Sequence, residues 1–184
     1  MSTQNYQHIT HEFEPIFDER SRILILGTLP SVKSREGQFY YHHPQNRFWP
    51  LLASLLEEEV PQLEDIPTKK KILEKHHIAM YDSIESCEIL GSSDAHIRNV
   101  VPADIPGILA GTKIETICCN GAASYKYFMK YHGSLPIRVL KLPSTSPANA
   151  AWTLEKLKEA WLSVQTKPDR AAINELIKEC EENG

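Results

Sequence analysis

ILILGTLPS, residues 23–31, is the stretch on which the reading of the fold turns. Four apolar residues run without alternation and stop at Gly27. Such a run, bounded by a turn residue, reads as a strand buried on both faces, as in a parallel sheet. Gly27 permits a close backbone turn, and Pro30 stiffens it. Similar runs recur at 78–81, 114–119 and 137–140. Helical patterns fall between them. Phe48, Leu51, Leu52, Leu55 and Leu56 form one apolar stripe at helical spacing. Thr68 is placed to cap a helix through His76. Short or medium helices are predicted over Asp104–Leu109 and Ala122–Tyr131, the second ended by Gly133. Thr153 caps another, with Leu154, Leu157, Trp161 and Val164 on one face, and Pro168 opens a last one. Residues 82–103 read as irregular, with LGSSD as a turn. This alternation predicts a three-layer α/β/α sandwich around a central, mostly parallel four-stranded sheet. A single domain over 1–184 is expected, with a core at about 22–165 and a helical tail at about 168–182.

Composition narrows the classes. With 184 residues, 41% hydrophobic and 24% charged, the chain reads as soluble and globular. No apolar run approaches the roughly 20 residues that span a bilayer. The opening MSTQNYQHITHEFEP has neither the basic nor the apolar region of a signal peptide. Cys87, Cys118, Cys119 and Cys180 form no CxxC and no metal spacing. Buried thiols and a reducing cytoplasm are expected. The net charge of −4 weighs against nucleic-acid binding. The acids are clustered, however, at 57–59 and near the C-terminus. Lys33, Arg35, Arg47, Arg98 and Lys141 occupy the loops, so a basic face is compatible with the total.

Ligands of such folds bind beyond the carboxyl ends of the strands. The loops there are 27–45, 82–103, 120–121 and 141–152, and they hold the unusual chemistry. In GQFYYHHPQNRFW (37–49), Phe39, Tyr40 and Tyr41 offer flat surfaces. Stacking a base on such a surface is worth roughly 1–3 kcal/mol. His42 and His43 lack the further ligands that zinc needs. Asn46 suits a helix cap, and Phe48 and Trp49 suit the core. Asp82 is either a turn residue or a carboxylate that accepts a ring N–H from a bound base. Asn120–Gly121 reads as a turn into a helix. Ser144, Thr145 and Ser146 are either phosphate contacts or a hydroxylated lead-in to a helix.

Taken in order, GTLPS, HHPQNRFW, YDSIESCEILGSSDAHI and LPSTSPANA resemble the motifs of the uracil-DNA glycosylase superfamily over residues 22–162. In detail they are most similar to its hypoxanthine-DNA glycosylase branch. Leu29 stands where most of the superfamily has a catalytic Asp or Asn, a polar group that the hypoxanthine branch also lacks. The resemblance implies a base pocket of Gly27, Thr28, Leu29, Pro30, Tyr41, Asp82 and Asn120. It implies DNA contacts from Ser31, Ser144, Thr145, Ser146, Pro147, Ala148 and Asn149. Asn46 becomes the catalytic residue, either placing water or binding the leaving base. The implied substrate is DNA carrying a deaminated base, chiefly hypoxanthine, with uracil as rival. No metal or cofactor is implied, and a monomer is expected. Two other classes stay open: a lesion-binding protein that has lost catalysis, and a nucleoside hydrolase.

Overall fold

The computed structural model describes residues 5–91 and 93–162. Four parallel strands form the central sheet: β2 (Ile23–Gly27), β3 (Ile78–Asp82), β6 (Thr116–Asn120) and β7 (Arg138–Leu142). Their order is β3-β2-β6-β7. Every residue of β2, β3 and β6 is buried, which is why these strands read as unbroken apolar runs. The edge strand β7 is only partly covered. Helices complete a three-layer α/β/α arrangement: α2 (Phe48–Leu56), α3 (Ile66–Lys75), α4 (Ile105–Ala110), α5 (Ala122–His132) and α6 (Leu154–Trp161), with a short α1 (Val32–Gly37). Phe48 and Leu51 of α2 and Leu157 and Trp161 of α6 are inaccessible to solvent or nearly so. The Trp161 ring N–H donates to the Pro143 carbonyl at 3.0 Å, so the buried indole is satisfied and holds the 143–152 loop.

Several local expectations are corrected. Residues 82–103 are not irregular. They contain β4 (Ile84–Ile89) and β5 (Ile97–Pro102), which pair antiparallel with each other and with β1 (Gln7–Thr10) as a second sheet of order β1-β4-β5. Two register shifts interrupt the β4–β5 pairing, and such bulges scramble the two-residue alternation that marks a strand. α3 is capped by Asp65, not Thr68. The Asp65 carboxylate accepts from the Thr68 N–H at 3.1 Å, because Pro67 is tolerated in the first turn and the helix starts earlier. Ser31 caps α1, an unforeseen helix, and accepts from the Ser34 N–H at 3.2 Å. The face ascribed to Val164 and the helix after Pro168 lie outside the described residues.

The second sheet is joined tightly to the first. Ser83 alone separates β3 from β4. The Ser83 N–H donates to the Gly27 carbonyl at 2.8 Å, and the Ile84 N–H to the Thr28 carbonyl at 3.2 Å. The chain therefore leaves the central sheet at Asp82 and turns at once around the end of β2.

Candidate active site

Gly27 and Asp82 are register partners at the ends of β2 and β3. A Cβ on Gly27 would lie 2.2 Å from Asp82 Oδ1 and 3.2 Å from the Tyr41 hydroxyl oxygen. The glycine is thus required by space, so that the carboxylate can lie across the strand end. Asp82 Oδ2 is 2.7 Å from His11 Nε2, and both side chains are buried. Oδ1 is left as the oxygen open to the cleft.

Tyr41 forms the neighbouring wall. Its backbone is left-handed, with φ 53°. One ring face is stacked on Phe48, with centroids 4.1 Å apart and planes at 26°. Its hydroxyl is buried near the Asn120 amide and makes no hydrogen bond of ordinary geometry. Burial first, and the Asp82 charge second, push the phenol well above its usual range, so it stays a proton donor.

Asn120 and Thr145, both buried, and the half-buried Asn46 form one hydrogen-bonded chain. Asn120 Nδ2 donates to Thr145 Oγ1 at 3.0 Å, and the Thr145 N–H donates to Asn120 Oδ1 at 3.0 Å. Thr145 Oγ1 donates onward to Asn46 Oδ1 at 2.9 Å. The Phe48 N–H donates to the same Asn46 oxygen, also at 2.9 Å. Two donors on that atom fix the amide orientation, since an NH₂ in its place would accept neither. Both lone pairs of Oδ1 are occupied, so Asn46 offers the cleft only its Nδ2 donors. Arg47, not Asn46, is the N-cap residue of α2 and makes no side-chain cap bond; Asn46, one residue earlier, instead accepts from the first-turn Phe48 N–H.

Arg47 knits the opposite rim. Its Nη2 donates to the carbonyls of Ser146 at 2.6 Å and Asn149 at 3.1 Å. The Asn149 side chain donates to the Ser144 carbonyl at 2.9 Å. Ser146 Oγ accepts from the Ala148 N–H at 3.2 Å.

These parts enclose a cleft of about 620 Å³, well within the range of ligand pockets. It is lined by Gly27, Thr28, Leu29, Pro30, Ser31, Tyr41, Asn46, Asp82, Asn120, Ser144, Thr145, Ser146 and Ala148. Pro147 and Asn149 lie outside the lining. Thr145 is fully buried and its hydroxyl is engaged internally, so it faces no solvent. Phe39 and Tyr40 belong to the core, although Tyr40 also backs the cleft. Leu29 packs on the side cluster of Ile84, Cys87 and Tyr127. Of the loop cations, Arg47 points inward, Lys33 pairs with Glu36, and Arg98 pairs with Glu88. Arg35 lines the cleft.

Two lining or supporting groups were missed in the sequence. His11 gives no local signal, because its partner lies 71 residues away. Asp94, within the segment read as a turn, lines the cleft mouth. Its carboxyl is pushed up, first by reduced solvation and then by Asp82. Among the described residues no His, Cys, Asp or Glu side chains gather as a metal site. No described helix is long and apolar enough to cross a membrane.

The cleft thus lies at the carboxyl ends of a parallel α/β sheet, with a carboxylate, a tyrosine and amide side chains among its lining. A family model described as the uracil DNA glycosylase superfamily matches residues 14–165. The chain belongs to that superfamily. It is 32% identical over 159 residues to a protein named hypoxanthine DNA glycosylase from Methanosarcina acetivorans, across 85% of this chain and 98% of that one. It is 33% identical over 87 residues to another of that name from Methanosarcina barkeri, across 47% of this chain and 54% of that one. A solution NMR structure described as that of a candidate uracil DNA glycosylase from Methanosarcina acetivorans superposes with a TM-score of 0.67 at 32% identity, covering 83% of this chain and 93% of that chain.

Proposed function

We propose that this protein is a monofunctional DNA glycosylase that removes deaminated bases, hypoxanthine foremost, and leaves an abasic site. The observation that carries the reading is the pocket floor, where Asp82 has one oxygen engaged by His11 and the other open to the cleft beside Gly27. Hypoxanthine presents an N1–H donor; adenine presents a bare N1 lone pair. A fixed carboxylate accepts from the first and repels the second, so the site selects the deaminated purine. Uracil presents a similar edge through N3–H and O4 and is the second substrate.

Chemistry on a base in a duplex requires that the nucleotide leave the stack, at a cost of a few kcal/mol. In this reading the extruded base stacks on the face of Tyr41 that Phe48 leaves open. The C1′–N bond then breaks with its electron pair moving to the base. Asn46 Nδ2 donates to that developing negative charge, as preorganised donors do. Water adds to C1′, and a proton passes to the departing base. Leu29 offers no group to orient that water. Ser31, Ser144 and Ser146, on the rim of the same cleft, contact the DNA backbone.

The test is a panel of labelled duplexes carrying one hypoxanthine, uracil, xanthine or normal adenine, incubated with EDTA and cut with alkali at abasic sites. Hypoxanthine is cleaved most, uracil less and adenine not at all. A lesion duplex that is bound but never cleaved identifies a sensor without catalysis. Hydrolysis of free inosine but not of DNA identifies a nucleoside hydrolase.

A further inference from the structure

We propose that His11 is a positioning residue that holds the Asp82 carboxylate in the one orientation suited to reading a base edge; this rests on the role given to Asp82 above. His11 lies just past β1, in the second sheet, and before residue 14, where the family match begins. Its N–H donates to the Glu85 carbonyl at 2.8 Å, which ties the segment to β4. The imidazole is fully buried. Phe13 meets it edge-on with centroids 4.7 Å apart, and Tyr81 lies against it at 4.6 Å. The ring therefore has little freedom to turn.

Its two nitrogens differ. Nε2 is 2.7 Å from Asp82 Oδ2, whereas Nδ1 is buried with no partner. A bare Nδ1 is tolerable there; an N–H would be a buried donor with nothing to meet. The neutral ring with its proton on Nε2 fits both facts. It donates to Oδ2 and adds no positive charge. One oxygen of Asp82 is thereby immobilised. The other oxygen is directed along Gly27 toward the cleft, where a Cβ would collide with it. Two elements from different sheets thereby define a single acceptor. Without the imidazole, the carboxylate is free to rotate and its acceptor no longer has a set direction.

The test uses single-turnover excision from otherwise identical duplexes carrying either hypoxanthine or unsubstituted purine, which lacks the N1–H. The variants are His11→Phe, His11→Gln, Asp82→Asn and the double variant His11→Phe/Asp82→Asn. Melting temperature and duplex affinity are measured alongside. His11→Phe is expected to lower the preference for hypoxanthine about ten-fold, the loss of one hydrogen bond to a charged group. His11→Gln, which keeps a donor, restores most of it. The double variant is no worse than Asp82→Asn alone, since both act through one contact. A His11→Phe protein that melts lower but keeps the wild-type preference overturns the role of His11. An Asp82→Asn protein that keeps it overturns the underlying reading of Asp82 instead. If His11→Phe does not fold, nitrogen NMR of the wild-type imidazole decides: a neutral ring protonated at Nε2 supports the proposal, and a ring protonated at Nδ1 or at both nitrogens overturns it.

Discussion

Gly27 and Asp82 stand side by side at the ends of adjacent parallel strands, and the carboxylate fills the space that a side chain at position 27 would need. The clearance is 2.2 Å between Asp82 Oδ1 and a Cβ at position 27. Gly27→Ala therefore displaces the group proposed to read the base. Displacement by about an ångström costs on the order of a hundred-fold in rate. Single-turnover excision of hypoxanthine is expected to fall by that amount. The duplex, held by the rim, still binds.

Asn46 separates two mechanisms. Its Oδ1 is occupied by Phe48 and Thr145, which leaves only donors for the cleft. Asn46→Asp keeps both acceptor bonds, since a carboxylate oxygen accepts from the Phe48 N–H and the Thr145 hydroxyl as the amide oxygen does. It replaces the Nδ2 donors with a negative oxygen. Donation to the leaving base predicts a folded protein whose excision rate falls roughly 10²–10³-fold. Activation of water by residue 46 predicts the reverse, a rate kept or raised. Rates and melting curves of the one variant decide between them.

Thr145 is the hinge of the hydrogen-bonded chain. Thr145→Val keeps the shape and removes the hydroxyl, so Asn120 Nδ2 loses its acceptor and Asn46 loses one donor. A buried donor left unmet costs about 1–3 kcal/mol. A drop in Tm of about 2–4 °C per kcal/mol follows for a chain of this size. Thr145→Ser retains the hydroxyl and is expected to melt close to the wild type.

Alkaline stability is set partly by β6. Burial pushes the Cys118 thiol up to about 12 and the Cys119 thiol up to about 11, from an ordinary 9.0. The folded protein thus holds these protons more tightly than the unfolded chain does. Their contribution is intact below about pH 9 and is lost as pH rises toward 11 to 12. Melting temperature is expected to fall over that window, less steeply in Cys118→Ala. Iodoacetamide at pH 8 is expected to label neither thiol in the native state.

Much of this was legible in the sequence because it rests on local patterns. The runs at 23–26 and 78–81 are buried strands, whereas the strand read over 114–119 starts only at Thr116, after the exposed Glu115; the rule that sites lie beyond strand ends brought Gly27, Asp82 and Asn120 to one cleft. What was hidden depends on distant partners. The orientation of Asn46 is fixed by Thr145, 99 residues away. His11 acquires meaning only against Asp82. The second sheet was lost because bulges in β4 break the alternation and β1 is a four-residue strand of mostly polar residues. Thr145 and Asn149 look like phosphate contacts in the sequence, yet they spend their polar groups within their own loop and its neighbours.

The proposed reaction is hydrolysis of the bond between sugar and deaminated base. The direct measurement is mass spectrometry of both products after a duplex with one deoxyinosine is incubated with excess protein and EDTA in ¹⁸O-labelled water. Free hypoxanthine, with an intact strand that bears an abasic site labelled at C1′, is the predicted result. A duplex recovered unchanged, bound or not, would contradict it.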